Sequence, residues 1–178
     1  MVRDTIDILR KKFNPVGFQR SLAHITLKAQ EDYVHEEMIV DVLYQFASKH
    51  PPVELELDGL RIHYDKDTPT WNIHVSFTKN CLLRYLTPQL SHLMEALVDL
   101  QSPNALQSTR WEQSDDYYPH ISVLTGKNEI SPDGILKNMQ NISLELPKRI
   151  TCGAIILKQW AGTKWKTVKR FDLSGSAN

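Results

Sequence analysis

Apolar residues recur at helical spacing in four segments of the chain and predict four amphipathic helices. The longest stripe runs from Asp32 to Lys49, and Pro51-Pro52 ends it. This stripe is typical of core packing and does not indicate a cofactor site. The third helix is predicted to begin with Pro88 as its first helical residue, and residues 81–86 could add a turn before it. The predicted helices cover about residues 4–13, 32–49, 87–97 and 131–139.

Alternation of apolar and polar residues predicts the strands. Asp58-Gly59 interrupts one of them and indicates a turn or a bulge, and Ala161-Gly162-Thr163 connects the last two. The polar segment from Gln101 to Asp116 is predicted to connect two halves of the chain. The predicted strands cover about residues 21–28, 53–62, 71–78, 119–124, 142–146, 150–158 and 167–173.

Two of the predicted strands carry the same short pattern. His24-Ile25-Thr26-Leu27 and His120-Ile121-Ser122-Val123 each place a histidine two residues before a hydroxyl. Since alternate residues of a strand share a face, the imidazole and the hydroxyl of each motif are expected to project from the same side. One such strand is common on protein surfaces, whereas two at corresponding places in one domain indicate a shared function.

The composition is typical of a globular protein of one domain. A chain of 178 residues with 41% hydrophobic and 24% charged residues can bury a sizeable core. The longest aliphatic run, 154–157, is too short to cross a bilayer, and residues 1–4 lack the apolar core of a secretory signal. Cys81 and Cys152 do not have the spacing of a disulfide framework or a zinc site, so a cytoplasmic or nuclear location is expected.

Charge is distributed unevenly although the formal net charge is zero. Residues 148–178 contain seven basic residues and one acid, whereas residues 31–67 are mainly acidic. Such a chain could present a basic face to a polyanion, although basic residues on an outer strand are commonly just solvated. Charge therefore supports a nucleic-acid partner only weakly.

The two motifs, with their aliphatic flanks and their separation, resemble those of the two-histidine (2H) phosphoesterase superfamily, which includes the 2′-5′ RNA ligase-like proteins and the 2′,3′-cyclic phosphodiesterases. The resemblance covers about residues 18–173. It implies an α+β fold of two pseudo-symmetric lobes, each an antiparallel sheet with outer helices, that face each other across a central cleft. Within one domain, 1–178, the lobes are expected at about 18–100 and 117–173, with the connection at about 101–116. Members usually carry a strand before the first motif, and only about twenty residues precede it here.

The resemblance also implies the chemistry of the site. His24 and His120 would flank a bound phosphate as general acid and general base, roles that suit imidazoles because their pKa lies near neutrality. Thr26 and Ser122 would donate hydrogen bonds to the non-bridging phosphate oxygens. The implied activity is that of a metal-independent phosphoesterase acting on RNA ends or nucleotides, at a 2′,3′-cyclic phosphate or a 2′-5′ phosphodiester. No cofactor, metal or membrane partner is expected, the substrate is the expected partner, and the chain is expected to be a monomer.

Three further residues are weaker candidates for substrate binding. His74 belongs to a third copy of the pattern, but the corresponding strand of the second half has no histidine, so a structural or rim position is favoured over substrate contact or catalysis. Tyr118 should share the face of His120 and could stack on a base or pack at the sheet edge. Tyr33 follows the first motif closely.

Trp160 and Trp165 in the predicted closing hairpin, and Lys127 after the second motif, are weaker candidates still. No motif surrounds the remaining histidines, which are His35, His50, His63 and His92, and no metal-ligand spacing such as HExxH is present. Two other functions stay open: ligation of 2′-5′ RNA ends by the same site run backwards, and non-catalytic binding of an RNA end or nucleotide. Two histidine-hydroxyl pairs favour catalysis, because binding alone needs no second proton carrier.

Overall fold

The computed structural model describes residues 2–28, 32–33, 35–65, 68–78, 82–98, 118–142 and 146–176. The elements are α1 (Val2–Phe13), α2 (Pro15–Arg20), α3 (Glu36–Lys49), β1 (Val53–Tyr64), β2 (Thr70–Phe77), α4 (Leu83–Glu95), β3 (His120–Lys127), α5 (Asp133–Gln140), β4 (Arg149–Cys152), β5 (Ala154–Trp160) and β6 (Trp165–Asp172). The first three of these elements are helices and the last three are strands.

The strands form two antiparallel sheets. One sheet has four strands in the order β3-β2-β1-β4, and the other is the hairpin β5-β6. The predicted α+β class with antiparallel sheets is confirmed. The four-stranded sheet takes β1 and β2 from the first predicted half and β3 and β4 from the second. The second motif, on β3, therefore pairs directly with the strand that carries His74.

Strand β2 lies between β1 and β3 and is buried on both faces. The polar face carries His74 and Ser76, and Ser76 satisfies its hydroxyl by donating to the Gly59 carbonyl at 3.2 Å. The other face lies in the hydrophobic core, where full burial of each large side chain contributes roughly 1.5–3 kcal/mol. The core side chains of this strand are Trp71, Ile73, Val75 and Phe77.

Several local predictions are confirmed at the residues that specify them. The register between β1 and β2 shifts between Leu57 and Gly59, and Gly59 has φ 91°, which is the predicted bulge. The turn between β5 and β6 contains Gly162 at φ 79°. Helix α3 ends at Lys49, before the two prolines.

Helix α4 begins earlier than predicted. It starts at Leu83, so Pro88 lies inside the helix and not at its first position. The proline lacks the N–H of an interior helical residue, which disfavours this arrangement. Leu83 and Leu86 are nevertheless buried in the core, and their burial favours the additional helical turn.

The predicted strand over 150–158 consists of two strands that belong to different sheets. β4 pairs with β1, whereas β5 pairs with β6, and the change occurs at Gly153. The Gly153 carbonyl accepts a hydrogen bond from the Leu173 N–H at 2.9 Å. Apolar residues predominate on both sides of Gly153, so the sequence pattern does not mark the change of partner strand.

The first motif is not on a strand, contrary to the prediction for 21–28. This segment has no regular secondary structure, and two helices precede it in place of a strand. Asn14-Pro15 ends α1 as predicted and also begins α2: the Asn14 side chain accepts the Gly17 N–H at 2.9 Å, and Pro15 occupies the first turn. The predicted connection at 101–116 and most of the predicted strand at 142–146 lie outside the described residues.

Candidate functional site

The polar face of the four-stranded sheet contains the second motif and the third copy of its pattern. In the register of β2 with β3, His74 lies opposite Ser122 and Ser76 lies opposite His120. Residues directly opposite each other in an antiparallel pair share a face, so these four side chains lie on the same side of the sheet. Two imidazoles and two hydroxyls are thus grouped on two neighbouring strands.

The imidazole of His120 is anchored through its Nδ1 atom. His120 Nδ1 donates to the Tyr118 carbonyl at 2.8 Å, and the Tyr118 hydroxyl donates to the Phe77 carbonyl at 2.8 Å. Because a carbonyl oxygen can only accept, Nδ1 of His120 must carry a hydrogen. The nitrogen that gains and loses a proton is therefore Nε2, the one that this hydrogen bond leaves available. Tyr118, predicted as a base-stacking candidate, holds the ring of His120 in place through its backbone.

His24 is anchored in the same way although it lies on an irregular segment. Its Nδ1 donates to the Leu22 carbonyl at 2.8 Å, again two residues earlier in the chain. Ser21 Oγ lies 3.4 Å from the same nitrogen and accepts a hydrogen bond from Lys158 Nζ at 2.7 Å. Nε2 of His24 is therefore also the titrating nitrogen. The two motifs share this anchoring pattern in spite of their different backbones.

The helix α1 holds the first motif where a strand ladder is absent. Asp7 Oδ1 accepts the Ala23 N–H at 2.8 Å, directly before His24. Asp7 forms an ion pair with the buried Arg10 at 3.5 Å, and the arginine donates to the Gly17 carbonyl at 3.1 Å. A hydrogen bond to a charged carboxylate is stronger than one between neutral groups, so Asp7 contributes strongly to fixing the backbone before His24.

The same N-terminal unit also contacts the second motif. The Asn14 side-chain amide donates to the Val123 carbonyl at 3.2 Å, in the strand that carries His120 and Ser122. Helices α1 and α2 thus connect the two motifs through Asp7 on one side and Asn14 on the other. None of these polar positions belongs to a motif, and the sequence offers no signal for them beyond the Asn14-Pro15 helix boundary.

Burial and neighbouring charges lower the pKa of both motif histidines. For His24, burial is the main cause, the hydrogen bond to Leu22 opposes it, and the charges of Lys158, Arg10 and His120 lower the pKa further. For His120, burial lowers the pKa, its hydrogen bond to Tyr118 opposes this, and the charge of His63 adds to the lowering. The charge of one motif histidine therefore acts on the other, and both imidazoles favour the neutral form at pH 7.

The hydroxyls of the two motifs have different surroundings. Ser122 Oγ accepts a hydrogen bond from the Asn72 side-chain amide at 2.9 Å. A hydroxyl that accepts from an amide keeps its own hydrogen for donation elsewhere, and Asn72 therefore orients Ser122 as a donor. Thr26 is half-buried, two residues after His24 in the irregular segment. The motifs do not single out Asn72, although it alternates with His74 and Ser76 on the polar side of the predicted strand.

His74 lies much closer to the site than its sequence context indicates. It is only 5% exposed, and its ring centroid is 5.1 Å from that of His120 and 6.0 Å from that of Tyr118, which it meets edge-on. Burial, reinforced by the charges of His120 and His63, lowers the pKa of His74 to about 4. A neutral ring packed beside His120 fits a structural role, and whether it also contacts substrate stays a prediction.

His63 extends the row of histidines to β1, although no motif marks it in the sequence. Its ring centroid is 6.5 Å from that of His74, and it lies opposite Asn72 in the register of β1 with β2. Only that register brings His63 to the polar face. The signals available in the sequence were the two predicted strands at 53–62 and 71–78, whose pairing could not be assigned from alternation alone.

The remaining predicted residue, Tyr33, lies in a different environment. It forms an isolated antiparallel bridge with Val98 and packs against the hydrophobic core. This placement gives no support to a role in substrate binding. Among the residues that the structure describes, no group of three His, Cys, Asp or Glu side chains could hold a metal ion, and no helix is long and apolar enough to span a membrane.

The sequence was also compared with known families and structures. The model of the 2′-5′ RNA ligase superfamily matches residues 1–163. The chain belongs to this superfamily. The match confirms the resemblance to the two-histidine phosphoesterases that the motifs indicated. No curated protein matches the sequence significantly.

The fold is also similar to that of solved structures. The crystal structure of TT0787 of Thermus thermophilus is similar with a TM-score of 0.60 and 15% identity, covering 99% of this chain and 93% of that chain. The structure of Kluyveromyces marxianus Usb1 has a TM-score of 0.46 and 14% identity, covering 94% and 91%. Usb1 with uridine monophosphate has a TM-score of 0.45 and 14% identity, covering 94% and 90%. At these identities the likeness to TT0787 concerns the fold alone.

Proposed function

We propose that this member of the 2′-5′ RNA ligase superfamily is a metal-independent phosphoesterase that cleaves a 2′,3′-cyclic phosphate or a 2′-5′ phosphodiester on RNA ends or nucleotides. The observation that carries the proposal is the shared anchoring of His24 and His120. Each donates its Nδ1 hydrogen to a carbonyl two residues earlier, at 2.8 Å, which leaves Nε2 of each ring as the proton-exchanging atom. Two such proton carriers serve an acid and a base in one reaction.

The proposed reaction uses one imidazole on each side of the phosphorus. One neutral Nε2 removes a proton from the attacking water as the new P–O bond forms. The other imidazole, protonated at Nε2, donates its proton to the leaving 2′ or 3′ oxygen as the old P–O bond breaks. The ring hydrogen bonds at Nδ1 stabilise whichever ring is charged at that moment. The two histidines exchange protonation states during the reaction, and release of a proton to solvent by one ring with uptake of a proton from solvent by the other restores them.

Thr26 and Ser122 are proposed to donate hydrogen bonds to the non-bridging phosphate oxygens. Negative charge on these oxygens increases in the transition state, so donors that are already oriented toward them lower the barrier. Asn72 supports this role for Ser122, because its amide hydrogen bond of 2.9 Å leaves the serine hydrogen free to point to the substrate.

The function is tested by assaying the purified protein against a set of phosphodiesters. The set comprises 2′,3′-cyclic and 3′,5′-cyclic mononucleotides, 2′-5′ and 3′-5′ dinucleotides, and short RNAs with a 2′,3′-cyclic phosphate end. Turnover of a 2′,3′-cyclic phosphate or a 2′-5′ linkage supports the proposal. Joining of RNA ends without hydrolysis would indicate the reverse, ligase reaction. Tight binding with no turnover of any of them would indicate a binding module.

The pH dependence of kcat/KM is expected to be bell-shaped with an acidic optimum. The base must be deprotonated and the acid protonated, so the rate is highest between the two macroscopic pKa values of the free enzyme. Burial lowers the pKa of His24 and of His120 below the usual 6.5, so both limbs move to lower pH. Initial rates from pH 4 to 9 on a cyclic mononucleotide measure the profile. An optimum above about pH 7 would contradict the assignment of His24 and His120 as the acid and the base.

Activity is expected to survive removal of divalent metal ions. Acid, base and phosphate donors are all side chains of this chain in the proposed mechanism, so no step needs a metal-bound water. The measurement compares turnover after dialysis against a chelator with turnover after adding Mg²⁺, Mn²⁺ or Zn²⁺. Restoration of a lost activity by any of these ions would overturn the metal-independent mechanism.

A further inference from the structure

One face of the hairpin β5-β6 carries an aromatic pair in line with basic and polar residues. In the register of the two strands, Trp160 lies opposite Trp165 and Lys158 lies opposite Thr167. Since residues two apart on a strand share a face, Lys158 and Trp160 lie on the same side of the hairpin. Further from the turn the same face continues with Ile156 opposite Arg170.

This face lies next to the first motif. Lys158 Nζ donates to Ser21 Oγ at 2.7 Å, and Ser21 Oγ lies 3.4 Å from His24 Nδ1. The charge of Lys158 is also among the causes that lower the pKa of His24. Trp160 lies two residues after Lys158 on β5 and therefore on the same face. A substrate that reaches His24 can therefore extend along this face toward the aromatic pair.

The opposite face of the hairpin packs against the hydrophobic core. Phe171 is buried there, and Ile155 and Leu157 pack against the core, where α3 contacts both strands. The core thereby fixes which face of the hairpin is available to a ligand. The face with Trp160 and Trp165 is the available one.

The aromatic pair is accessible and has a basic setting. The two indole rings have centroids 5.4 Å apart at an interplanar angle of 59°, and Trp160 is 39% exposed. Lys158 and Arg170 share the face of the two indoles, Arg170 being paired with Asp172 at 2.7 Å, and Lys164 lies in the turn between the strands, whereas Lys166 and Lys169 lie on the other face. Exposed aromatic rings among basic side chains are the features with which proteins bind single-stranded nucleic acid: the bases stack and the phosphates meet positive charge.

We propose that Trp160 and Trp165, with Lys158, bind the unpaired nucleotides of an RNA strand that flank the phosphate held between His24 and His120. This inference rests on the proposed function and extends it, since it makes an RNA end with a single-stranded tail, and not a free nucleotide, the preferred substrate. Unpaired bases are required, because a base that is stacked in a duplex cannot also stack on an indole ring. A purely structural aromatic pair would only strengthen the cross-strand contact within the hairpin.

The first test compares a long and a short substrate with the same reactive end. Kinetics are measured on an octamer RNA with a 2′,3′-cyclic phosphate and on the matching cyclic mononucleotide, for the unmodified protein, W160A and W165A. The ratio of kcat/KM for octamer to mononucleotide is expected to fall by about 5- to 150-fold, the usual effect of removing one stacking ring. A purely structural pair would lower both values equally, and an unchanged ratio overturns the inference.

Control variants separate stacking from stability. W160F keeps an aromatic ring and is expected to restore most of the ratio. Tyr85 is an exposed aromatic residue on α4, 67% exposed, and Y85A is expected to leave the ratio as it is in the unmodified protein. A Y85A ratio that falls as far as the W160A ratio would also overturn the inference.

A binding measurement keeps this inference separate from the proposed activity. Fluorescence anisotropy of a labelled single-stranded octamer that ends in a 3′ phosphate reports binding without turnover. Weaker binding by W160A, together with weaker binding of the corresponding duplex by the unmodified protein, supports the inference even if no phosphodiester in the set is cleaved. Equal octamer binding by W160A and the unmodified protein, equal binding of duplex, or no octamer binding overturns it, whether or not the enzyme is active.

Discussion

Replacing His24 or His120 with alanine is expected to lower kcat on a cyclic phosphate by at least about 10²- to 10⁴-fold, the usual contribution of a positioned acid or base. KM should change little, since both side chains act mainly in the transition state. The two histidines act as a unit, one protonated and one neutral. The double variant H24A/H120A is therefore expected to lose much less than the product of the two single losses. Steady-state kinetics of the three variants measure both effects.

His92 provides the matched control for these substitutions. It is on α4, and its side chain is 81% exposed beside Glu95, so H92A removes an imidazole that belongs to neither motif. H92A is expected to retain normal turnover. Full additivity of H24A and H120A, or an active H120A, would mean that the two imidazoles do not share one reaction, and the proposed mechanism would then be abandoned.

Replacing Ser122 with alanine is expected to lower kcat by up to about 10²- to 10³-fold, which is the usual effect of removing one hydrogen-bond donor to an oxygen that gains negative charge in the transition state. Asn72 allows a sharper test, because its amide donates to Ser122 Oγ at 2.9 Å. N72A removes this hydrogen bond and should have a smaller effect, since the serine can still donate to the phosphate. N72D has nearly the same shape but accepts the serine hydrogen, so it should reduce kcat about as much as S122A.

The double variant N72D/S122A distinguishes this relay from a general effect of charge. If Asn72 acts by orienting the Ser122 hydroxyl, N72D should cost less in the S122A background than in the unmodified protein. Thermal unfolding of each variant shows whether a loss of folding contributes. N72D that is milder than N72A would contradict the proposed orientation of the serine.

Local chemistry in the sequence predicted those parts of the fold that depend on neighbouring residues. Asp58-Gly59 marks a bulge because only glycine readily adopts a positive φ, and the structure has that bulge. The second motif alternates on a strand that has a partner on one side, and it is a strand in the structure. In both cases the residues themselves contain the information.

Other features depended on contacts between distant parts of the chain. The alternation from Ser21 to Lys28 predicted a strand, but no strand among the described residues pairs with it, and Ala23 donates a hydrogen bond to Asp7 of α1 instead. His63 reaches the polar face only through the register of β1 with β2. Gly153 separates strands of two sheets, a distinction that alternation along one strand does not contain. The structure at these positions depends on which segments pair with each other, and the apolar and polar pattern of a single segment does not contain that information.

The two motifs differ in how much structure must open before each histidine can move. Releasing His120 requires breaking the ladder between β2 and β3, which is part of the sheet that borders the core. The first motif has no such ladder among the described residues, and one hydrogen bond that holds its backbone is the one that Ala23 donates to Asp7. Segments held by few contacts open locally at a lower free energy than sheet strands. We therefore expect the first motif to open locally more readily than the second, which stays fixed in the sheet.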